Sequence, residues 1–103
     1  MVHVEVKPEA DSTARRIPRE ALQAYFDIFV EWERSPRLVL PGSYLTHRLR
    51  GTRDLWTLKL TADRGHPWAD YRCIYQWTGS EVNVLRFGDW RNVYQHLPRT
   101  GNS

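Results

Sequence analysis

The sequence predicts an α+β fold: a small, mainly antiparallel twisted sheet of about four strands, with one principal N-terminal helix packed on one face. Three observations predict it. An alternating run, "VHVEV", lies at the start. An apolar stripe of helical period comes next, between Leu22 and Trp32. Three strand-like runs, 55–60, 71–77 and 82–87, then succeed one another with turn-forming residues between them. A length of 103 residues suits one domain, 1–103, with a single core.

In "VHVEV" (2–6), Val2, Val4 and Val6 share one face, the pattern of a half-buried strand, and Pro8 ends it. Residues 9–16 are polar and read as a loop or one loose helical turn. Pro18 suits the first turn of a helix, and Glu20 is favourable near that helix's positive end. Leu22, Tyr25, Phe26 and Phe29, joined by Trp32 or Val30, recur at helical spacing, while Asp27, Glu31 and Glu33 fall on the wet side. Ser35 before Pro36 disfavours the helical conformation, which places the helix at 18–34. Pro41-Gly42 is a turn signal within 37–45. "LWTLKL" (55–60) puts Trp56, Leu58 and Leu60 on one face and Thr57 and Lys59 on the other.

"YRCIYQW" (71–77) and "VNVLRF" (82–87) flank "TGSE", where Gly79-Ser80 fits a two-residue hairpin turn. That turn sets Trp77 opposite Val82, Tyr75 opposite Val84 and Cys73 opposite Arg86. The row Tyr71, Cys73, Tyr75, Trp77 matches the aromatic stripe of the helix. Arg72 therefore turns away from the helix, beside Ile74, Gln76, Asn83, Leu85 and Phe87. The same register leaves Arg86 on the helix side, where it must snorkel outward or find a partner.

Composition excludes several classes of protein. A chain that is 41% hydrophobic with five tryptophans folds rather than staying disordered. The start, "MVHVEVKPEA", does not read as a signal peptide, and no apolar run is long enough to span a membrane. A lone cysteine, Cys73, leaves no internal disulfide and fits a reducing cytoplasm. With no second thiol and scattered histidines, no metal site is expected, and no cofactor. Residues 1–46 hold six Lys/Arg against seven Asp/Glu, whereas residues 47–103 hold nine against five. A basic C-terminal half suits a polyanionic partner, although 13 of the 15 basic residues are arginine, a bias that genome composition alone can produce.

"LRGTRDLWTLKL" at 49–60, "YRCIYQW" at 71–77 and "VLRFGDWRNVY" at 84–94 resemble the RelE/ParE superfamily of bacterial toxins. Its members carry a Leu-x-Gly turn before an aromatic-led strand, then a Tyr-Arg-x-x-Tyr strand. An apolar strand then ends in Gly, basic residues and Val-Tyr. The resemblance implies a small toxin of a type II toxin–antitoxin system, held by a cognate antitoxin. Its RelE-like branch, the better match, cuts mRNA on the ribosome; its ParE-like branch poisons DNA gyrase without cutting RNA. By the resemblance, Arg72 matches the arginine used at the scissile phosphate. Lys59 takes the place of a functional basic residue, and Tyr94 that of the tyrosine closing the C-terminal motif. Thr57 and Trp90 stand where relatives often place further basic residues, with Arg91 adjacent.

Internal cleavage of RNA needs the 2′-hydroxyl deprotonated, the leaving oxygen protonated and new negative charge on the phosphate stabilised. The arginine fork of Arg72 suits the last task, being permanently cationic and able to grip two phosphate oxygens. Lys59, on the same sheet face, can bind the phosphate, or act as a base if its pKa is lowered. Arg91 can substitute near Gly88. Tyr94 can orient the hydroxyl, donate a proton or stack on a base. Arg50, Arg53, Trp90 and His66 are the further candidates for RNA contact. The plainer readings are a solvated strand lysine at 59, a packing tyrosine at 94 and an ordinary surface histidine at 66. Cys73 reads as a small core residue, and Trp68 shares with Trp90 a loop position open to stacking.

Overall fold

The computed structural model describes residues 2–34 and 45–94. Strand β1 (His3–Val6) leads into a short helix, α1 (Pro8–Thr13), a 3₁₀ turn (Ala14–Arg16) and the long helix α2 (Arg19–Arg34). Strands β2 (Thr46–Arg48), β3 (Leu55–Leu58), β4 (Tyr71–Trp77) and β5 (Glu81–Asp89) come after it. Their order in the sheet is β1-β5-β4-β3-β2, with β1 parallel to β5 and every other neighbouring pair antiparallel. The sheet therefore has five strands rather than about four. The addition is β2, which the "LRGT" turn folds back onto β3, with Gly51 supplying the left-handed conformation (φ 83°) that the turn requires. The turn expected at Pro41-Gly42 lies outside the described residues.

The long helix lies within one residue of its expected span, and its first bond runs from the Leu22 N–H to the Pro18 carbonyl at 3.0 Å. Of its stripe, Tyr25, Phe29 and Trp32 are buried; Val30 is exposed, so Trp32 completes the row. Residues 9–16 are not a loop. Pro8 both ends β1 and opens α1, sitting at the N-terminus of a helix whose first turn carries Glu9 and Asp11. Ala10 and Thr13 are buried along this segment and Ala14 is half-buried, which gives the polar stretch an inward face. Glu33 is not merely solvated either. Its carboxylate accepts the Val4 N–H at 3.1 Å, satisfying a donor on the open edge of β1.

The core lies between α2 and one face of the sheet. Trp32 meets Tyr75 at 5.0 Å between ring centroids, and Phe87 contacts Tyr25 at 5.5 Å. The Tyr25 hydroxyl donates to the Leu58 carbonyl at 3.3 Å, tying α2 to β3. Each such large side chain taken from water contributes roughly 1.5–3 kcal/mol. Trp68 packs half-buried against this core rather than standing free for stacking.

Strand β5 departs from the expected register at one place. Trp77 pairs with Val82 and Tyr75 with Val84, as the hairpin turn dictates, but Ile74 then pairs with Arg86 and Cys73 with Phe87. Leu85 is an extra residue, a β-bulge, that rotates the rest of β5 by one position. Phe87 turns into the core and Arg86 turns away from α2, which removes the conflict of an arginine facing the helix. Past the end of β1, the Phe87 N–H donates to the Thr13 hydroxyl at 2.9 Å, and that hydroxyl donates to the Ala10 carbonyl at 2.8 Å.

That buried bridge can be tested by a pair of substitutions. Thr13→Val leaves the Phe87 N–H without its acceptor and lowers unfolding free energy by about 1–3 kcal/mol in denaturant titration, whereas Thr13→Ser keeps most of it. Equal stabilities for the two variants would contradict the bridge.

Candidate functional site

The face of the sheet away from α2 carries the candidate site. Across β3, β4 and β5, Thr57, Ile74 and Arg86 form one row on this face, since each pairs with the next. Strand alternation alone predicts an open face here, yet Ile74 is fully buried. The chain after β5 accounts for this. Arg91 N–H donates to the Asp89 carboxylate at 2.8 Å, and Val93 N–H to the Asp89 carbonyl at 2.8 Å, making a tight turn. Val93 then packs over Gly88, its carbonyl accepting from Arg86 at 3.3 Å, and the Tyr94 hydroxyl reaches Thr57 at 3.3 Å. The segment is pinned at both ends of the row, so it passes over Ile74.

Beyond this cover the face opens into a groove of about 420 Å³ whose walls include Lys59, Asp63, Arg64, Asp70, Arg72 and Trp90. Lys59 comes directly after β3, which stops at Leu58 rather than running to Leu60, and strand alternation turns it to the side opposite α2. Arg72 is half-buried opposite Gly88, where no side chain competes for its space. Its Nη1 donates to the carbonyls of Ala69 at 2.6 Å and Tyr71 at 2.9 Å. One nitrogen thus anchors the guanidinium. Its other N–H groups have no protein acceptor among the described residues and are available to an anion.

The remaining candidates scatter around this pair. Trp90 lines the groove and is 45% exposed. Arg91 stands beside the groove, its guanidinium carbon 5.3 Å from the Trp90 ring centroid and its Nη1 3.8 Å from the Asp89 carboxylate. Tyr94 is over Thr57, outside the groove lining. Arg50 and Arg53 are exposed on the β2–β3 turn and do not line it. His66 is turned back on its own loop: its Nδ1 accepts the Trp68 N–H at 3.0 Å and its ring lies 5.4 Å from that indole. Asp70 and Arg64, which sequence patterning does not single out, form walls of the groove. Their signal is that the connection carrying them ends immediately before Arg72. Among the described residues, no group of three or more His, Cys, Asp or Glu could hold a metal ion, and no helix is long and apolar enough to cross a membrane.

A mixed five-stranded sheet with a helical pair on one face is the RelE-like toxin fold. No family model and no curated protein matches the chain. Among solved structures it is similar to YafQ from E. coli strain BL21(DE3), with a TM-score of 0.62 and 14% identity over 88% of this chain and 96% of that one. It is also similar to a RelE toxin mutant of E. coli in the free state, at TM-score 0.58 and 21% identity over 84% and 81% of the two chains. A chain of the archaeal RelE-RelB complex from Pyrococcus horikoshii OT3 matches at TM-score 0.56 and 18% identity, over 85% and 93%.

Behind the groove, burial governs the titrating groups. It pushes the Cys73 thiol well above its usual range, so this side chain is a protonated core residue and no nucleophile. Burial likewise raises the Tyr25 and Tyr75 phenols above the ordinary value of about 10. Native Cys73 should therefore resist DTNB until the protein is unfolded; rapid labelling under native conditions would refute its burial. Above pH ~10 the unfolded chain loses phenolic protons that the folded chain keeps, so stability is full below that pH and falls as pH rises beyond it. Denaturant midpoints at pH 8 and pH 11 should show the fall, and Tyr75→Phe should reduce it.

Proposed function

We propose that this chain is the toxin of a type II toxin–antitoxin system and cuts mRNA on the ribosome by metal-independent attack of a 2′-hydroxyl. The observation that carries the reading is the shared groove of Lys59 and Arg72, opened on the side of a RelE-like fold opposite its helices. Attack of the 2′-oxygen on the adjacent phosphorus expels the 5′-oxygen, and negative charge builds on the non-bridging oxygens meanwhile. Two fixed cations against those oxygens lower the barrier, by roughly 3 kcal/mol for each donor on analogous sites. Anchoring one Arg72 nitrogen to two carbonyls holds its remaining donors in a set direction. Tyr94, 38% exposed, offers its hydroxyl at the rim over Thr57. Arg50 and Arg53 add positive charge on the neighbouring turn, for the flanking strand or the ribosome. A cognate antitoxin is the protein partner, and the cytoplasm, where mRNA is translated, is the place of action.

A second reading is a ParE-like gyrase inhibitor, or a family member that acts by binding without cleavage. It is favoured by the protein partners that Arg72 Nη1 and the Tyr94 hydroxyl already have. Induction of the wild type and Arg72→Ala in cells, with transcript ends mapped on translated messages, separates the two. New ends within codons that the substitution reduces at least 100-fold are expected. Growth arrest with intact messages and DNA damage would replace the nuclease with the gyrase reading.

A further inference from the structure

The exposed indole of Trp90 is not accounted for by charge stabilisation at a phosphate. Trp32 in the core is 1% exposed, whereas Trp90 keeps 45% of its surface in water on the wall of the groove that holds Arg72 and Lys59. Its backbone is held firmly. The Trp90 N–H donates to the Asp70 carbonyl at 2.8 Å, and the next three N–H groups, of Arg91, Asn92 and Val93, all fold back onto Asp89. One face of the ring is also occupied, by the Arg91 guanidinium at 5.3 Å, which the Asp89 carboxylate holds from behind at 3.8 Å. A large apolar ring on a rigid turn, backed by a cation, is preorganised to receive a flat partner on its open side.

We propose that Trp90 is a stacking platform for one base of the single-stranded RNA in the groove, with Arg91 as the positioning residue that fixes the ring. The inference rests on the reading of the groove as an RNA site and adds a specific contact to it. The chemistry selects the ligand: cations at Lys59 and Arg72 take the phosphate while the indole takes the base of the same or the adjoining nucleotide. A groove of about 420 Å³ is on the scale of one small ligand. Paired bases in a duplex have no free face to offer, so the strand must be single. Stacking tolerates any base, which makes Trp90 a determinant of affinity and positioning more than of sequence.

The test is single-turnover cleavage of a short message held on ribosomes, with an abasic ribose placed in turn at each position of the target codon. Wild type, Trp90→Ala, Trp90→Phe, Arg91→Ala and Arg72→Ala are compared, after melting curves confirm that each is folded. Trp90→Ala should slow cleavage on the order of 5- to 150-fold, and Trp90→Phe by no more than about threefold. An abasic ribose at one position should slow the wild type by the same factor as Trp90→Ala. It should have no further effect in that variant. Arg91→Ala should lose less, and nothing when Trp90 is already alanine, which a merely structural role for Arg91 would not reproduce. Cleavage by Trp90→Ala at the wild-type rate, with Arg72→Ala inactive, overturns the stacking platform and leaves the nuclease reading standing. Absence of Arg72-dependent cleavage in the wild type removes the nuclease reading itself, and the platform with it.

Discussion

The single extra residue in β5, Leu85, decides which side chains the two faces of the sheet present. Strand alternation is strict, so Val84 and Phe87 can both face α2 only if one position is inserted between them. With the insertion, Phe87 completes a ring cluster with Tyr25, Phe26 and Phe29, and Arg86 turns to the opposite face. Without it, an aromatic ring would sit on the polar side and a guanidinium would be buried beneath the helix. Beyond Val84, where β1 has given way to α1 at Pro8, Thr13 of α1 supplies the acceptor for the Phe87 N–H.

The opposite face of the sheet is divided between cover and opening. The turn around Asp89 throws Val93 and Tyr94 over Ile74, which would otherwise be a large aliphatic side chain in water. Among the described residues the cover reaches as far as Thr57. Two residues further along each strand, where Lys59 and Arg72 project, no described residue covers the sheet face and the cations line the groove. Gly88 serves both sides of this boundary. It presents no side chain beside Arg72, and Val93 packs above it, 3.4 Å from where a β-carbon would lie. Apolar burial and a cationic groove therefore coexist on one face, with Val93 and Tyr94 lying over one part of it and Lys59 and Arg72 lining another.

Much of this is readable from particular residues. The period of Leu22, Tyr25, Phe26, Phe29 and Trp32 places the long helix to within a residue, and the Gly79-Ser80 turn sets the pairing of Trp77 and Tyr75. The same alternation puts Arg72 and Lys59 together on the face away from the helix. The short helix leaves a fainter trace, which hydrophobic patterning passes over. Ala10, Thr13, Ala14 and Ile17 recur at helical spacing, but most of them are small or polar and carry little weight in such a pattern. The roles of Glu33 and His66 are not legible at all, because each depends on a backbone N–H whose free or bonded state is a property of the folded chain.

By itself the sequence determined the fold class, the faces of β4 and of β5 as far as Val84, and the two cations of the groove, since each depends on local periodicity or on a turn that propagates register. The tertiary structure alone decided the bulge at Leu85, the docking of Thr13, the cover over Ile74 and the backing of Trp90 by Arg91. The bulge shows in the sequence only as the conflict of Arg86 with an unbroken register, which does not say where the extra residue lies, and contacts between segments depend on where separate elements come to rest. Local pattern carries no information about that.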